Sequence, residues 1–402
     1  MSDLIKIKDI DLKGKKVLVR EDYNVPLKGG VITDDTRIVT SLKTIEQLRD
    51  AGAKVLLVSH LGRPEEGKYD EAYSLAPVAK RLSELLGQEV PLIKNWIDGA
   101  PDEPDIALCE NVRFEIGEKS NDDELARKMA ALCNVYVNDA FATAHRVQAS
   151  THGVAKYAPV SCAGPLLIEE LKALSRLLRD PATPVAAIVG GAKVSTKLAV
   201  LESLIEKIDL LIVGGGIANT FLMASGHRIG NSLHEPDLVG KAQRLIDIAN
   251  TKGKPIPLPL DVICAKKFSE DATPFCRKID DIEEDDLIMD VGPETAGHYA
   301  DLLAGAATIV WNGPLGVFEF EQFSEGTRTL AMAIAASNAY TVAGGGDTIA
   351  AISKFKISDQ ISYISTGGGA FLEFLEGKKL PAVLILEECA RAWSRMERAR
   401  EY

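Results

Sequence analysis

Four glycine runs in the second half of the chain have the composition of phosphate-binding turns. They are Gly190-Gly191-Ala192-Lys193, Gly214-Gly215-Gly216, Gly344-Gly345-Gly346-Asp347-Thr348 and Gly367-Gly368-Gly369. Each follows a short apolar run and precedes a helix-like segment. Glycine permits a tight turn and close backbone approach, and the free N–H groups opening the next helix favour an anion. Four such turns together point to a polyphosphate. The dinucleotide fingerprint is absent, because Asn219, Ile349 and Leu372 stand where its third glycine would fall. The P-loop is absent too, since Gly240-Lys241 precedes Ala242 and Gly253-Lys254 precedes Pro255. Lys193 and Lys197 would share one face if they lay on a helix, and both could reach phosphate oxygens. Asp347 could hold Mg²⁺ through one carboxylate, cap a helix, or do both.

The first half has the opposite character. Arg20 ends VLVR and Asp22 and Asn24 follow it, His60 and Arg63 follow VLLVS, Arg113 follows IALC, and His145 and Arg146 follow VYV. Arg37 opens a helix-like segment. A guanidinium matches phosphate and carboxylate oxygens bidentately. Five arginines, four of them beyond strand ends, suit a compact acid carrying two or three charges. A nucleotide site in one half and an acid site in the other are linked by phosphoryl transfer. That reaction needs in-line positioning and charge neutralisation, with no nucleophilic side chain. Two domains closing on both ligands would keep water from the phosphoryl group.

The elements that must position these residues alternate along the chain. Val17–Arg20, Val55–Ser59, Ile106–Cys109 and Val135–Val137 read as buried strands in the first half. Ala186–Val189, Leu210–Val213, Leu258–Ile263, Leu287–Asp290, Thr308–Trp311, Tyr340–Ala343 and Ile361–Ser365 do so in the second. Helical patterns between them predict α/β architecture: two doubly wound parallel-sheet domains joined by a linking helix. Leu167, Leu171, Leu174 and Leu178 have helical spacing, and RDPATP (179–184) breaks it. The expected division is an N-terminal domain over 1–165, a linking helix and hinge over 166–184, a C-terminal domain over 185–385, and a charged helical tail over 386–402.

The 402 residues are 46% hydrophobic and carry a net charge of −12, which argues against nucleic acid or an anionic membrane as the main partner. The charged start lacks a secretory signal, and no apolar run approaches a membrane span. Six cysteines form no C-x-x-C pair, so reduced, mostly buried thiols in a cytoplasmic protein are expected.

Longer segments carry a resemblance. They are REDYNVPL (20–27), SHLGRP (59–64), ENVRF (110–114), NDAFATAHR (138–146), GGAKVSTKL (190–198), GGGIANTFL (214–222), DVGPET (290–295), WNGPLGVFE (311–319), GGGDT (344–348) and TGGGAFLE (366–373). Together, and in order, they resemble phosphoglycerate kinase. The resemblance implies reversible phosphoryl transfer between 1,3-bisphosphoglycerate and ADP, giving 3-phosphoglycerate and ATP, with Mg²⁺. It implies a monomer with phosphoglycerate on the N-terminal domain, nucleotide on the C-terminal one, and a tail packed back on the first.

Carried over by position, the resemblance makes Asp22, Asn24, Arg37, His60, Arg63, Arg113 and Arg146 the phosphoglycerate contacts. Arg37, Lys193, Gly345 and Gly368 would act on the moving phosphoryl group. Gly191, Lys197, Gly215, Asn312, Glu319, Gly345, Gly346, Asp347 and Thr348 would meet nucleotide, with Asp347 on the metal. Three positions depart from the family pattern: Glu21 replaces a small or apolar residue, Gln148 a histidine and Thr196 an acidic residue. The alternative activity is a nicotinamide-dependent dehydrogenase on a doubly wound fold, which the missing third glycines disfavour.

Overall fold

The computed structural model describes residues 4–99, 105–179 and 181–400. The chain divides into two compact units, one formed by Met1–Lys172 with Lys379–Tyr402, the other by Ala173–Lys378.

The first unit is built on β1 (Lys16–Arg20), the short hairpin β2 (Leu27–Lys28) and β3 (Val31–Ile32), β4 (Lys54–Val58), β5 (Leu92–Ile93), β6 (Ile106–Cys109), β7 (Val135–Asn138) and β8 (Ser161–Ala163). Six of these make one parallel sheet in the order β5-β6-β4-β1-β7-β8. Val17, Val19, Val55, Leu57, Leu108 and Val137 are buried, as both faces are covered by helices. Helix Thr36–Asp50 lays Ile38, Ile45 and Leu48 on this core. Its start is held by Asp34, whose Oδ1 accepts from Thr36 N–H at 2.9 Å and from the Thr36 hydroxyl at 2.6 Å. That places Arg37 in the first turn. The last helix runs from Pro381 to Arg400, earlier than the expected start at 386, and its Ala390 and Trp393 pack on the same core.

The second unit contains β9 (Val185–Gly190), β10 (Leu210–Gly214), β11 (Asp261–Ala265), β12 (Phe275–Lys278), β13 (Leu287–Val291), β14 (Thr308–Asn312), β15 (Tyr340–Gly344) and β16 (Tyr363–Ser365). The parallel sheet has the order β10-β9-β14-β15-β16. Ile188, Ile309, Trp311, Tyr299 and Leu330 fill one face.

Three expected strands are corrected, β11 in kind and bounds, β13 in kind and β16 in bounds. β11 and β13 join β12 in a separate antiparallel sheet and do not extend the parallel one. β11 starts at Asp261, not Leu258, because Pro257 and Pro259 have no N–H to give a ladder. β16 starts at Tyr363, not Ile361, since Ile361 N–H closes a 3₁₀ turn onto Ser358. The cysteines are free thiols. Cys109, Cys133, Cys162 and Cys264 are buried, Cys389 is half-buried and Cys276 is exposed. Among the described residues no helix is long and apolar enough to cross a membrane.

Candidate active site

The arginines of the first unit gather because four neighbouring strands, β6-β4-β1-β7, deliver them from the same sheet edge. Strands lie about 4.8 Å apart, so the chain turns beyond their carboxyl ends are within side-chain reach of one another. His60 stands at the centre. Its pKa is held well below the ordinary imidazole value, first by burial, then by the charges of Arg20, Arg113, Arg146 and Arg37. Arg113 is pushed down to about 10 by burial and by Arg146 and Arg20, with Arg63 adding to the effect. Four guanidiniums thus crowd one neutral imidazole, with Arg63 beside Arg113, a field that favours a multiply charged anion.

The small polar residues set the aim. Arg37 Nη1 donates to Asp22 Oδ2 at 2.7 Å and to the Asn24 carbonyl at 3.1 Å. Asp22 Oδ1 accepts from Asn24 N–H at 3.1 Å, and Asn24 Oδ1 accepts from Gly62 N–H at 2.9 Å. Arg113 donates from Nη1 to the Gly62 carbonyl. Arg146 Nε donates to His145 Nε2 at 3.2 Å. Arg63 is exposed, and its side chain has no hydrogen bond among the described residues. The structure therefore brings together Asp22, Asn24, Arg37, His60, Arg63, Arg113 and Arg146. Arg20, grouped with them in sequence, is 1% exposed and lies behind them. Glu118 and Ser150, which support Arg20, carry no sequence signal, because their partners are remote along the chain.

In the second unit, turns from all five strands of the parallel sheet meet at its carboxyl edge. Helices Gly215–Ala224, Gly346–Phe355 and Gly369–Leu375 start directly from the glycine runs, so their first N–H groups face that edge. Gly345 has φ 99°, a conformation open to glycine. Asn312 Nδ2 donates to the Gly344 carbonyl at 2.7 Å, and Thr348 Oγ1 accepts from Gly313 N–H at 2.7 Å. Asn312 and Thr348 are thus buttresses that shape the turns. Lys197 Nζ donates to the carbonyls of Gly190 and Asn312, the latter at 3.0 Å. Burial pushes its pKa down to about 8, against the pull of the Asp347 carboxylate.

Lys193 and Lys197 do not share a helical face. Residues 194–196 form a 3₁₀ turn, Lys193 is extended and exposed, and Lys197 folds inward. The turn is imposed by Glu235, whose carboxylate accepts Ser195 N–H at 2.8 Å and Ser195 Oγ–H at 2.6 Å. Glu319 is exposed beyond the turn that follows β14.

The profile of the phosphoglycerate kinase family matches residues 7–378. The chain belongs to the phosphoglycerate kinase family. The phosphoglycerate kinase of Coxiella burnetii is similar at 56% identity, with a TM-score of 0.92 over 96% of this chain and 100% of that one. That of Pyrococcus horikoshii OT3 is similar at 34% identity, with a TM-score of 0.82 over 97% of this chain and 100% of that one. The activity follows: reversible transfer between 1,3-bisphosphoglycerate and ADP, giving 3-phosphoglycerate and ATP. Phosphoglycerate kinases are phosphotransferases with a carboxyl acceptor, and they use Mg²⁺ with the nucleotide. Nothing in these matches supports a dehydrogenase.

The donor set fits the metal. The Asp347 carboxylate is exposed in the first turn of its helix and has no hydrogen bond or ion pair among the described residues. One free carboxylate, completed by phosphate oxygens and water, is the donor set Mg²⁺ takes in nucleotide sites.

Proposed function

We propose that the arginine cluster of the first unit is the phosphoglycerate site, and that the glycine-lined edge of the second holds MgADP or MgATP. The observation that carries this is the set of four guanidiniums facing neutral His60, with Arg63 beside Arg113. Asp22, Asn24, Arg37, His60, Arg63, Arg113 and Arg146 bind the acid. Asp22 and Asn24 act mainly by aiming Arg37 and Gly62. Gly191, Lys197, Gly215, Asn312, Glu319, Gly345, Gly346, Asp347 and Thr348 serve the nucleotide, Asn312 and Thr348 from behind the turns.

The chemistry needs no proton transfer. A carboxylate oxygen of 3-phosphoglycerate forms a bond to the γ-phosphorus as the bond to ADP breaks. Mg²⁺ at Asp347 would offset phosphate charge. Arg37, Lys193 and the N–H groups at Gly345 and Gly368 stabilise the charge that spreads over the moving group. Lys193 suits this role because its ammonium has no hydrogen bond among the described residues, leaving it free to follow the phosphoryl group.

The test is transfer from MgATP to 3-phosphoglycerate by wild type and Lys193→Ala, with product coupled to NADH loss. Turnover should fall far more than either substrate's affinity, since the interaction peaks in the transition state. A rise in KM alone overturns the assignment of Lys193. A cytoplasmic monomer is proposed with this reading. Its free thiols fit a reducing compartment, and sedimentation checks the monomer.

A further inference from the structure

Behind the arginine cluster runs a buried polar chain that ends on His60. It begins at Glu118. Its Oε2 accepts Ser150 N–H at 2.9 Å and its Oε1 accepts the Ser150 hydroxyl at 2.6 Å. The same hydroxyl oxygen accepts Arg20 Nε–H at 2.9 Å. Arg20 donates from Nη1 to the Glu21 carbonyl and from Nη2 to His60 Nδ1, the latter at 3.1 Å. Glu118, Ser150, Arg20 and His60 are 0%, 1%, 1% and 3% exposed. Ser150 lies in a π-helical turn, Ala149–Gly153, whose carbonyl at Ser150 is pinned by the Tyr136 hydroxyl at 2.8 Å.

The chemistry of the groups fixes the direction of each bond. A guanidinium only donates, so His60 Nδ1 must accept. The ring proton of the neutral imidazole is therefore on Nε2. A second proton would break the bond from Arg20 and add a cation to a site already crowded with them. Among the described residues nothing bonds Nε2. Glu118 in turn balances Arg20, which would otherwise be a buried, uncompensated charge.

We propose that Glu118 and Ser150 are positioning residues for the acid substrate. They clamp Arg20 so that it locks His60 in the Nε2–H tautomer and presents one fixed, neutral donor to a substrate oxygen. This rests on the reading of His60 as a phosphoglycerate ligand. Arg20 then acts through His60 and not on the substrate. The imidazole stays neutral, with Nδ1 able to accept from Arg20, across the range in which a free histidine would titrate. The charges facing it from every side are Arg20, Arg37, Arg113, Arg146 and Asp22, the last 3.9 Å from Nδ1.

The experiment is ¹⁵N NMR of histidine-labelled protein, with steady-state kinetics on the same samples. In wild type, His60 should show protonated Nε2 and bare Nδ1 across the range in which a free histidine titrates. Ser150→Ala should give mixed tautomers and raise KM for 3-phosphoglycerate about three- to tenfold, with KM for ATP changed by less than about twofold. Ser150→Thr keeps a hydroxyl and should restore both. Unchanged His60 nitrogen shifts and unchanged KM in Ser150→Ala overturn the proposal.

If Ser150→Ala fails to fold, the comparison of His60→Gln with His60→Asn decides. A glutamine amide reaches the Nε2 position and an asparagine amide the Nδ1 position, so glutamine must retain more affinity for 3-phosphoglycerate. Equal losses, or a better asparagine, overturn it. Addition of 3-phosphoglycerate tests the underlying reading separately. No shift at Nε2 removes His60 from the substrate site, whatever its tautomer.

Discussion

Arg37 is already paired before any substrate contact: its Nη1 lies 2.7 Å from Asp22 Oδ2. Arg37 belongs to the first turn of its helix, and Asp22 to the loop beyond β1. The pair is partly exposed, with side chains 31% and 12% accessible, so it is worth little to stability. Its value lies in aim.

Arg37→Ala should therefore cut kcat by about 10²-fold or more, as expected for loss of a group stabilising transition-state charge. ADP affinity should stay within about twofold, because the nucleotide residues lie in the other unit. Calorimetric titration with ADP and coupled kinetics check both. An equal loss of ADP affinity would refute the assignment.

Lys197 gives the nucleotide site a pH dependence. Its pKa is down at about 8, and phosphate oxygens favour the ammonium form. ADP binding near pH 8 should take up a proton, and affinity should fall as pH rises further. Titration calorimetry in buffers of different ionisation heat reads the proton directly, and a zero value contradicts the expectation. The stability sign is opposite. The folded pKa lies below the unfolded value of about 10.4, so the folded state binds fewer protons between about 8 and 10.4. Through that window the contribution of Lys197 to stability improves with pH.

Glu21 carries a cost. It is 2% exposed, its Oε1 has no hydrogen-bond partner, and its pKa is well above the usual carboxyl value. Burial is the main cause, the Asp139 carboxylate adds to it, and Arg20 opposes it. With the folded pKa raised, stability is lost as pH climbs above the unfolded value of about 4.3. Glu21→Leu, similar in volume, should stabilise the protein by about 1–3 kcal/mol at neutral pH. The gain should be larger at high pH than near pH 5. Urea unfolding at two pH values measures it, and a gain that shrinks with pH would be the wrong sign.

Gly345→Ala would place a Cβ 2.7 Å from Asn312 Nδ2, at a backbone φ of 99°. Asn312 cannot yield freely, since that nitrogen holds the Gly344 carbonyl. Strain of about 1–3 kcal/mol should raise KM for ADP about tenfold and leave KM for 3-phosphoglycerate unchanged. Parallel kinetics with each substrate varied separates the two. A rise confined to 3-phosphoglycerate would place Gly345 elsewhere in the reaction.

Much of the site is legible in the chain because its chemistry is local. Glycine runs that end strands state where backbone must approach an anion, and Asp347 and Thr348 follow within the same turn. Arg63, Arg113 and Arg146 stand beyond apolar runs that read as buried strands. The 3₁₀ turn between Lys193 and Lys197 is not legible, because it depends on Glu235, 40 residues from Ser195. β12, with its pattern FCRK, has no continuous apolar run, and its half-buried residues alternate with exposed ones.

By itself, then, the sequence determined the two α/β cores, the anion-binding turns and the inventory of charges, since periodicity and glycine act over a few residues. Tertiary structure alone decided what each charge faces. Arg20 and Arg113 look alike in the chain, yet Arg20 is drawn inward by Ser150, 130 residues away, while Arg113 reaches the Gly62 carbonyl. The physical reason is that a charge takes its role from desolvation and from partners in space. Both are set only when strands distant in sequence lie side by side.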